Sequence, residues 1–168
     1  RVTHSIVDNN RNGNNNPNAG GGLYLAGGAV DNCLIYGNKM AFGAGVYIEA
    51  NGARGVILNS TIMDNTGGSG NDLYVYKSGS AITNSIIGSL TYDGGENISA
   101  KLLRTARFKD KANGDYRVKT ASSAFVCGTV DDDTWKFYTC DIEGRPLVLT
   151  AAGTFLAGAF QNPVQSVT

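Results

Sequence analysis

Val30-Asp31-Asn32-Cys33-Leu34-Ile35, Ile57-Leu58-Asn59-Ser60-Thr61-Ile62 and Ile82-Thr83-Asn84-Ser85-Ile86-Ile87 share one pattern: aliphatic, variable, Asn, small, variable, aliphatic. A further copy, Val2-Thr3-His4-Ser5-Ile6-Val7, precedes them, with His4 in the Asn place. In chain order the copies begin 28, 27 and 25 residues apart. In the first three, an Asn also follows the last aliphatic by three residues, as Asn10, Asn38 and Asn65. Between the copies lies a second recurring segment: Gly21-Gly22-Leu23-Tyr24-Leu25, Ala44-Gly45-Val46-Tyr47-Ile48 and Asn71-Asp72-Leu73-Tyr74-Val75. Alternation of aliphatic and tyrosine is the period-two signature of a strand with one buried face.

A unit of about 25 residues cannot bury an apolar face alone, but stacked copies can. Equivalent strands then pair in parallel at about 4.8 Å, and like side chains pile up along the stack. The spacing predicts one aliphatic ladder through Val30, Ile57 and Ile82 and another through Ile35, Ile62 and Ile87. Ser5, Cys33, Ser60 and Ser85 fall at a crowded inner position. Asn32, Asn59 and Asn84 are expected at tight bends, bonding their own backbone or the Asn one unit away, with His4 standing in for Asn. Leucine-rich repeats need a denser leucine pattern, and helical repeats lack this alternation. The fold class expected is all-β: a parallel β-helix, a solenoid, with repeats over residues 1–98.

These units resemble the right-handed parallel β-helix family, the pectate-lyase-like superfamily, and look like those of bacterial surface β-helix proteins. The resemblance covers roughly residues 1–90 in the repeats. It also reaches Phe108…Gly114-Asp115-Tyr116-Arg117-Val118…Ser122-Ser123-Ala124, Asp141-Ile142-Glu143-Gly144-Arg145-Pro146 and Ala157-Gly158-Ala159-Phe160, which are similar to the family's closing segment. It implies right-handed coils and a bacterial protein, secreted or at the cell surface. Two departures stand out: Val126-Cys127-Gly128 replaces an aspartate before glycine, and Phe160-Gln161 replaces Tyr-Glu.

After Ser89 the repeat stops. Residues 99–168 are expected to add strands around an Asn113-Gly114 turn and to cap the same domain, because an open stack leaves unpaired edges. The chain opens in mid-strand, so upstream β-helix coils of the same protein are expected partners. Cys127 and Cys140 flank a polar loop and are spaced for a small disulfide, with two free thiols as the alternative.

The 168 residues suit one domain. Twenty-three glycines and many asparagines suit left-handed turns. Lys plus Arg and Asp plus Glu number 14 each, and no basic run is interleaved with aromatics, so nucleic acid is not an expected partner. No apolar run is long enough for a membrane-spanning helix. Gly20-Gly21-Gly22 lacks the Lys-[Ser/Thr] and helix of a phosphate loop.

Tyr24, Tyr47 and Tyr74 should form an outward aromatic column, with Tyr76, Glu49 and Lys77 as polar neighbours. Such a strip can stack sugar rings, or it can simply support strand pairing. Asp8, Asp31, Glu49, Asp64 and Asp72 sit at non-equivalent positions and form no visible pair for glycoside hydrolysis. Asp131-Asp132-Asp133 lacks the spacing of a calcium loop, so no cofactor is expected and calcium is a minor option. The expected function is non-catalytic: adhesion, glycan contact or display. A polysaccharide lyase or hydrolase with its catalytic residues in N-terminal coils, and a structural spacer, are the alternatives.

Overall fold

The computed structural model describes residues 1–11, 19–49, 54–76, 80–93, 99–103, 108–118, 128–129, 141–145, 154–155 and 159. Among them the chain is all-β, with one 3-10 turn at Lys111–Asn113, and no helix is long and apolar enough to cross a membrane.

The strands up to Leu103 join in parallel sheets. Val2–Thr3, Gly28–Asp31, Gly55–Leu58 and the first half of Ala81–Ile87 form one stack. Ile6–Asp8, Leu34–Tyr36, Thr61–Met63 and the second half of Ala81–Ile87 form another. The long strand Ala81–Ile87 unites the two, and Ser99–Leu103 adds one more strand to its edge. A separate sheet contains Leu23–Leu25, Val46–Glu49, Leu73–Tyr76 and Leu90–Asp93. Lys39–Phe42 pairs with Thr66–Ser69 in a short sheet that the sequence pattern did not foretell.

Register follows the repeat. Val30 lies beside Ile57 and Ile57 beside Ile82; Ile35 lies beside Ile62 and Ile62 beside Ile87. The third sheet adds the columns Leu23, Val46, Leu73, Leu90 and Leu25, Ile48, Val75, Tyr92. All of these pack into one shared core, and both isoleucine-rich ladders are fully buried. Each such aliphatic stabilises by roughly 1.5–3 kcal/mol, which offsets the ordering of a loop-rich chain.

The bends are set by backbone conformation. His4, Asn32, Asn59 and Asn84 have φ of 48°, 54°, 46° and 51°, the left-handed region that Asn tolerates better than other side chains. At three of them the main-chain N–H donates one unit onward: His4 to the Asp31 carbonyl at 3.2 Å, Asn32 to Leu58 at 3.1 Å, Asn59 to Thr83 at 3.0 Å. The small residue after each bend closes the corner. Ser60 Oγ donates to the Leu58 carbonyl at 2.7 Å and accepts from the Cys33 N–H at 3.1 Å. Ser85 Oγ repeats this with Thr83 at 2.9 Å and the Ser60 N–H at 3.2 Å. Cys33 is a buried free thiol in this column, and burial pushes its pKa up.

One expectation is corrected at Asn59. Its buried amide finds no hydrogen-bond partner among the described residues, so the left-handed bend, and not side-chain bonding, explains Asn there. A side-chain ladder runs instead through the other asparagine column. Asn38 Oδ1 accepts from Asn10 N–H at 3.0 Å and Nδ2 at 2.9 Å. Asn65 Oδ1 accepts from Asn38 N–H at 3.0 Å and Nδ2 at 2.9 Å. Asp72 Oδ1 accepts the same pair from Asn65, both at 2.9 Å. Space for this ladder requires glycine alongside: a Cβ on Gly45 would lie 2.7 Å from Asn65 Nδ2 and 2.8 Å from Ile62 Cγ2.

The C-terminal third packs on a flank. Leu34, Met63 and Ile86 join Phe108, Tyr116, Val118 and Ala159 in a second apolar cluster. Phe108–Asp110 and Asp115–Val118 form an antiparallel pair, with Gly114 left-handed at φ 78° between them. Polar contacts pin it down: Tyr116 O–H donates to Asp64 Oδ2 at 2.7 Å, Lys111 Nζ meets Asp64 Oδ1 at 2.7 Å, and Ala159 N–H donates to Thr61 Oγ1 at 3.1 Å. Beyond Ser99–Leu103, the described part of residues 99–168 that packs against the stack lies along its side.

Candidate functional site

The tyrosine column follows from strand parity. Leu23 and Leu25 point into the core, so Tyr24 points away from it, and the same holds for Tyr47 and Tyr74. The register places the three side by side. Their rings stack face to face, Tyr24 on Tyr47 at 5.4 Å and 8°, Tyr47 on Tyr74 at 5.2 Å and 6°. These separations lie close to the strand spacing, so the stack of strands itself sets the stack of rings.

Exposure falls along the column. Tyr24 is 50 % exposed, Tyr47 is half-buried and Tyr74 is buried. Phe42 meets Tyr74 edge-on at 6.0 Å and 74°. Tyr76, two residues beyond Tyr74, lies 6.4 Å from Tyr47 at 22°. Glu49 is the register partner of Tyr76 and is half-buried. The structure thus brings Tyr24, Tyr47, Tyr74, Tyr76 and Glu49 onto one surface. Lys77 lies outside the described residues, as do Cys127, Cys140 and Asp131-Asp132-Asp133.

Stacking decides what this surface can do. Each shared face is closed to a ligand and Tyr74 is buried, so the exposed ring of the column is that of Tyr24. Aromatic faces bind the apolar side of a sugar ring, while hydroxyls and a carboxylate take its O–H groups.

The acidic residues of the repeats have separate engagements. Asp31 pairs with Arg1, Asp64 with Lys111 and Tyr116, and Asp8 accepts from Asn9. Asp72 ends the asparagine ladder and also accepts from Ser89 N–H at 2.8 Å and Ser89 Oγ at 3.1 Å. Burial pushes the Asp72 carboxyl up, and its bonds to Asn65 and Ser89 pull it back. His4, Asn32, Asn59 and Asn84 sit at the bends and not on the tyrosine face. Among the described residues no three of His, Cys, Asp or Glu are grouped to hold a metal ion.

Sequence reasoning missed Tyr36. Its ring lies 5.0 Å from Tyr116, tilted by 49°, where the flank segment meets the stack. Tyr36 is register partner to Asp8 and Met63, so no tyrosine recurrence marked it. Set against known proteins, the chain matches no family model, no curated protein and no solved structure.

Proposed function

We propose that this chain is a right-handed parallel β-helix segment of a secreted or cell-surface bacterial protein that contacts polysaccharide through its tyrosine face, without catalysing a reaction there. In this reading residues 1–98 carry the coils and residues 99–168 complete the same domain. Same-position pairing in parallel sheets supports the β-helix. The observation that carries the function is the aromatic column, exposed at Tyr24, with Glu49 and Tyr76 beside it on the same sheet face.

The test is a panel of polysaccharides with and without calcium, read by binding and by release of new chain ends. Tyr24→Ala should weaken binding at least tenfold with the fold intact. Tyr74→Ala should lower stability instead, because its ring is buried between Tyr47 and Phe42. Binding that is indifferent to Tyr24→Ala would remove the tyrosine face from the proposal. Appearance of unsaturated ends would make the protein a lyase.

A further inference from the structure

A second concavity lies on the flank, away from the tyrosine column. Two abutting surface hollows of about 600 and 370 Å³, both wide open to solvent, share Tyr36 and Gly114 as walls. The larger is completed by Asp64, Lys111, Ala112 and Tyr116. The smaller runs over an apolar floor of Ile6, Leu34 and Ile142 toward Asp115, Arg117 and Glu143. Both volumes fall in the range of small-molecule sites, roughly 300–1,000 Å³.

The chemistry of the walls selects a ligand class. The charged residues that line the cleft each have a nearby opposite, Lys111 with Asp64, Arg117 with Asp115 and Glu143 with Arg145, and Asp8 stands beside it, bonded by the Tyr36 hydroxyl. No cation is left over to hold an anion, and the added carboxylate of Asp8 is engaged by the Tyr36 hydroxyl. The rim's polar groups are nonetheless held in place and keep bonding capacity. Lys111 has three N–H donors and engages Asp64, and each Asp64 oxygen can accept more than the one bond it receives. Charged groups make the stronger hydrogen bonds to neutral hydroxyls. Tyrosine rings and aliphatic side chains line the remainder. A neutral compound with one apolar side and several hydroxyls fits such walls.

We propose that this flank cleft binds a single neutral pyranose unit, lying against Tyr36 with its hydroxyls toward Asp64 and Lys111. None of these residues belongs to the tyrosine column, so the two proposals stand or fall separately. Ile6, 59 % exposed, leaves the far end of the cleft open, which lets a longer glycan continue outward.

Titration of the isotopically labelled full chain with methyl glucoside, methyl galactoside, methyl mannoside and glucuronate tests this. The expected result is saturable shifts of the Tyr36, Asp64, Gly114 and Tyr116 amides with millimolar affinity for at least one neutral sugar, independent of any shifts at Tyr24, Tyr47 or Tyr74. Lys111→Ala should weaken that binding severalfold, with the Tyr116 and Ala159 amides reporting whether the flank stays docked without the Asp64 ion pair. Asp64→Asn is a second variant, with thermal melting to show that the flank remains docked. Absence of shifts up to about 100 mM of every neutral sugar overturns the site. So does a response to glucuronate alone, or one confined to the tyrosine column.

Discussion

At the scale of single residues, Asp72 shows how a ladder is ended. The asparagines pass a carbonyl oxygen to the preceding unit and an amide N–H₂ to the next. After Ile87 the chain reaches Leu90 within three residues, with no asparagine in the Gly88-Ser89 link. Asp72 fills that place with four donors aimed at it, two from Asn65 and two from Ser89. An amide here would set its own N–H₂ against the Ser89 main-chain N–H, which cannot reverse. Asp72→Asn is therefore expected to cost about 1–3 kcal/mol in urea unfolding, the range for a buried polar group left unmatched. No loss would mean that the carboxylate is not what ends the ladder. Asn59 tests the other column. If its role is the left-handed bend, Asn59→Gly should be less destabilising than Asn59→Ala by about 1–2 kcal/mol, the cost of that conformation for a side chain with Cβ. The reverse order would point to packing by the amide. Both columns recur in the sequence at similar periods, and recurrence alone does not separate an asparagine kept for its backbone from one kept for its side chain.

At the scale of elements, the strands were legible and their outer partners were not. Val30, Ile57 and Ile82 announce a buried face because they recur in register, and the same residues are neighbours in the sheet. The other face carries Leu34, Thr61 and Ile86, a mixed set whose covering by Phe108 and Tyr116 depends on contacts far away in the chain. Lys39–Phe42 and Thr66–Ser69 pair although their side chains share no pattern, since main-chain bonds suffice for a short sheet. The flank rests on Tyr116. Burial, and then its bond to Asp64, push its phenol above the ordinary value. A raised acid favours the folded state while protonated, so this contribution is complete below about pH 10, the usual tyrosine value, and is lost as pH rises above it. Wild-type stability should thus fall above about pH 10 more steeply than that of Tyr116→Phe. Near neutrality the variant should be weaker by about 1 kcal/mol, the loss of one hydrogen bond. Parallel pH curves for the two would show that the phenol titrates as freely folded as unfolded.

At the scale of the whole molecule, each repeat touches chiefly the ones before and after it. Stability in such a stack is close to a sum of unit terms and nearest-neighbour terms, so it should vary with position instead of being uniform. Gly55–Leu58 and Thr61–Met63 have a partner strand on either side. Val2–Thr3 and Ile6–Asp8 have one partner strand each among the described residues. Ile62 is buried between Ile35 and Ile87, and truncating it to alanine should cost about 2–5 kcal/mol. Hydrogen exchange then reads the coupling. In the wild type, amides of Thr61–Met63 should outlast those of Ile6–Asp8. In Ile62→Ala, protection should drop first in Leu34–Tyr36 and Ile86–Ile87, the strands whose columns lose a contact, and less in Ile6–Asp8, one unit further away. An equal drop everywhere would mean that the molecule opens as one cooperative body. The nearest-neighbour account of this fold would then be wrong, although its registers would remain right.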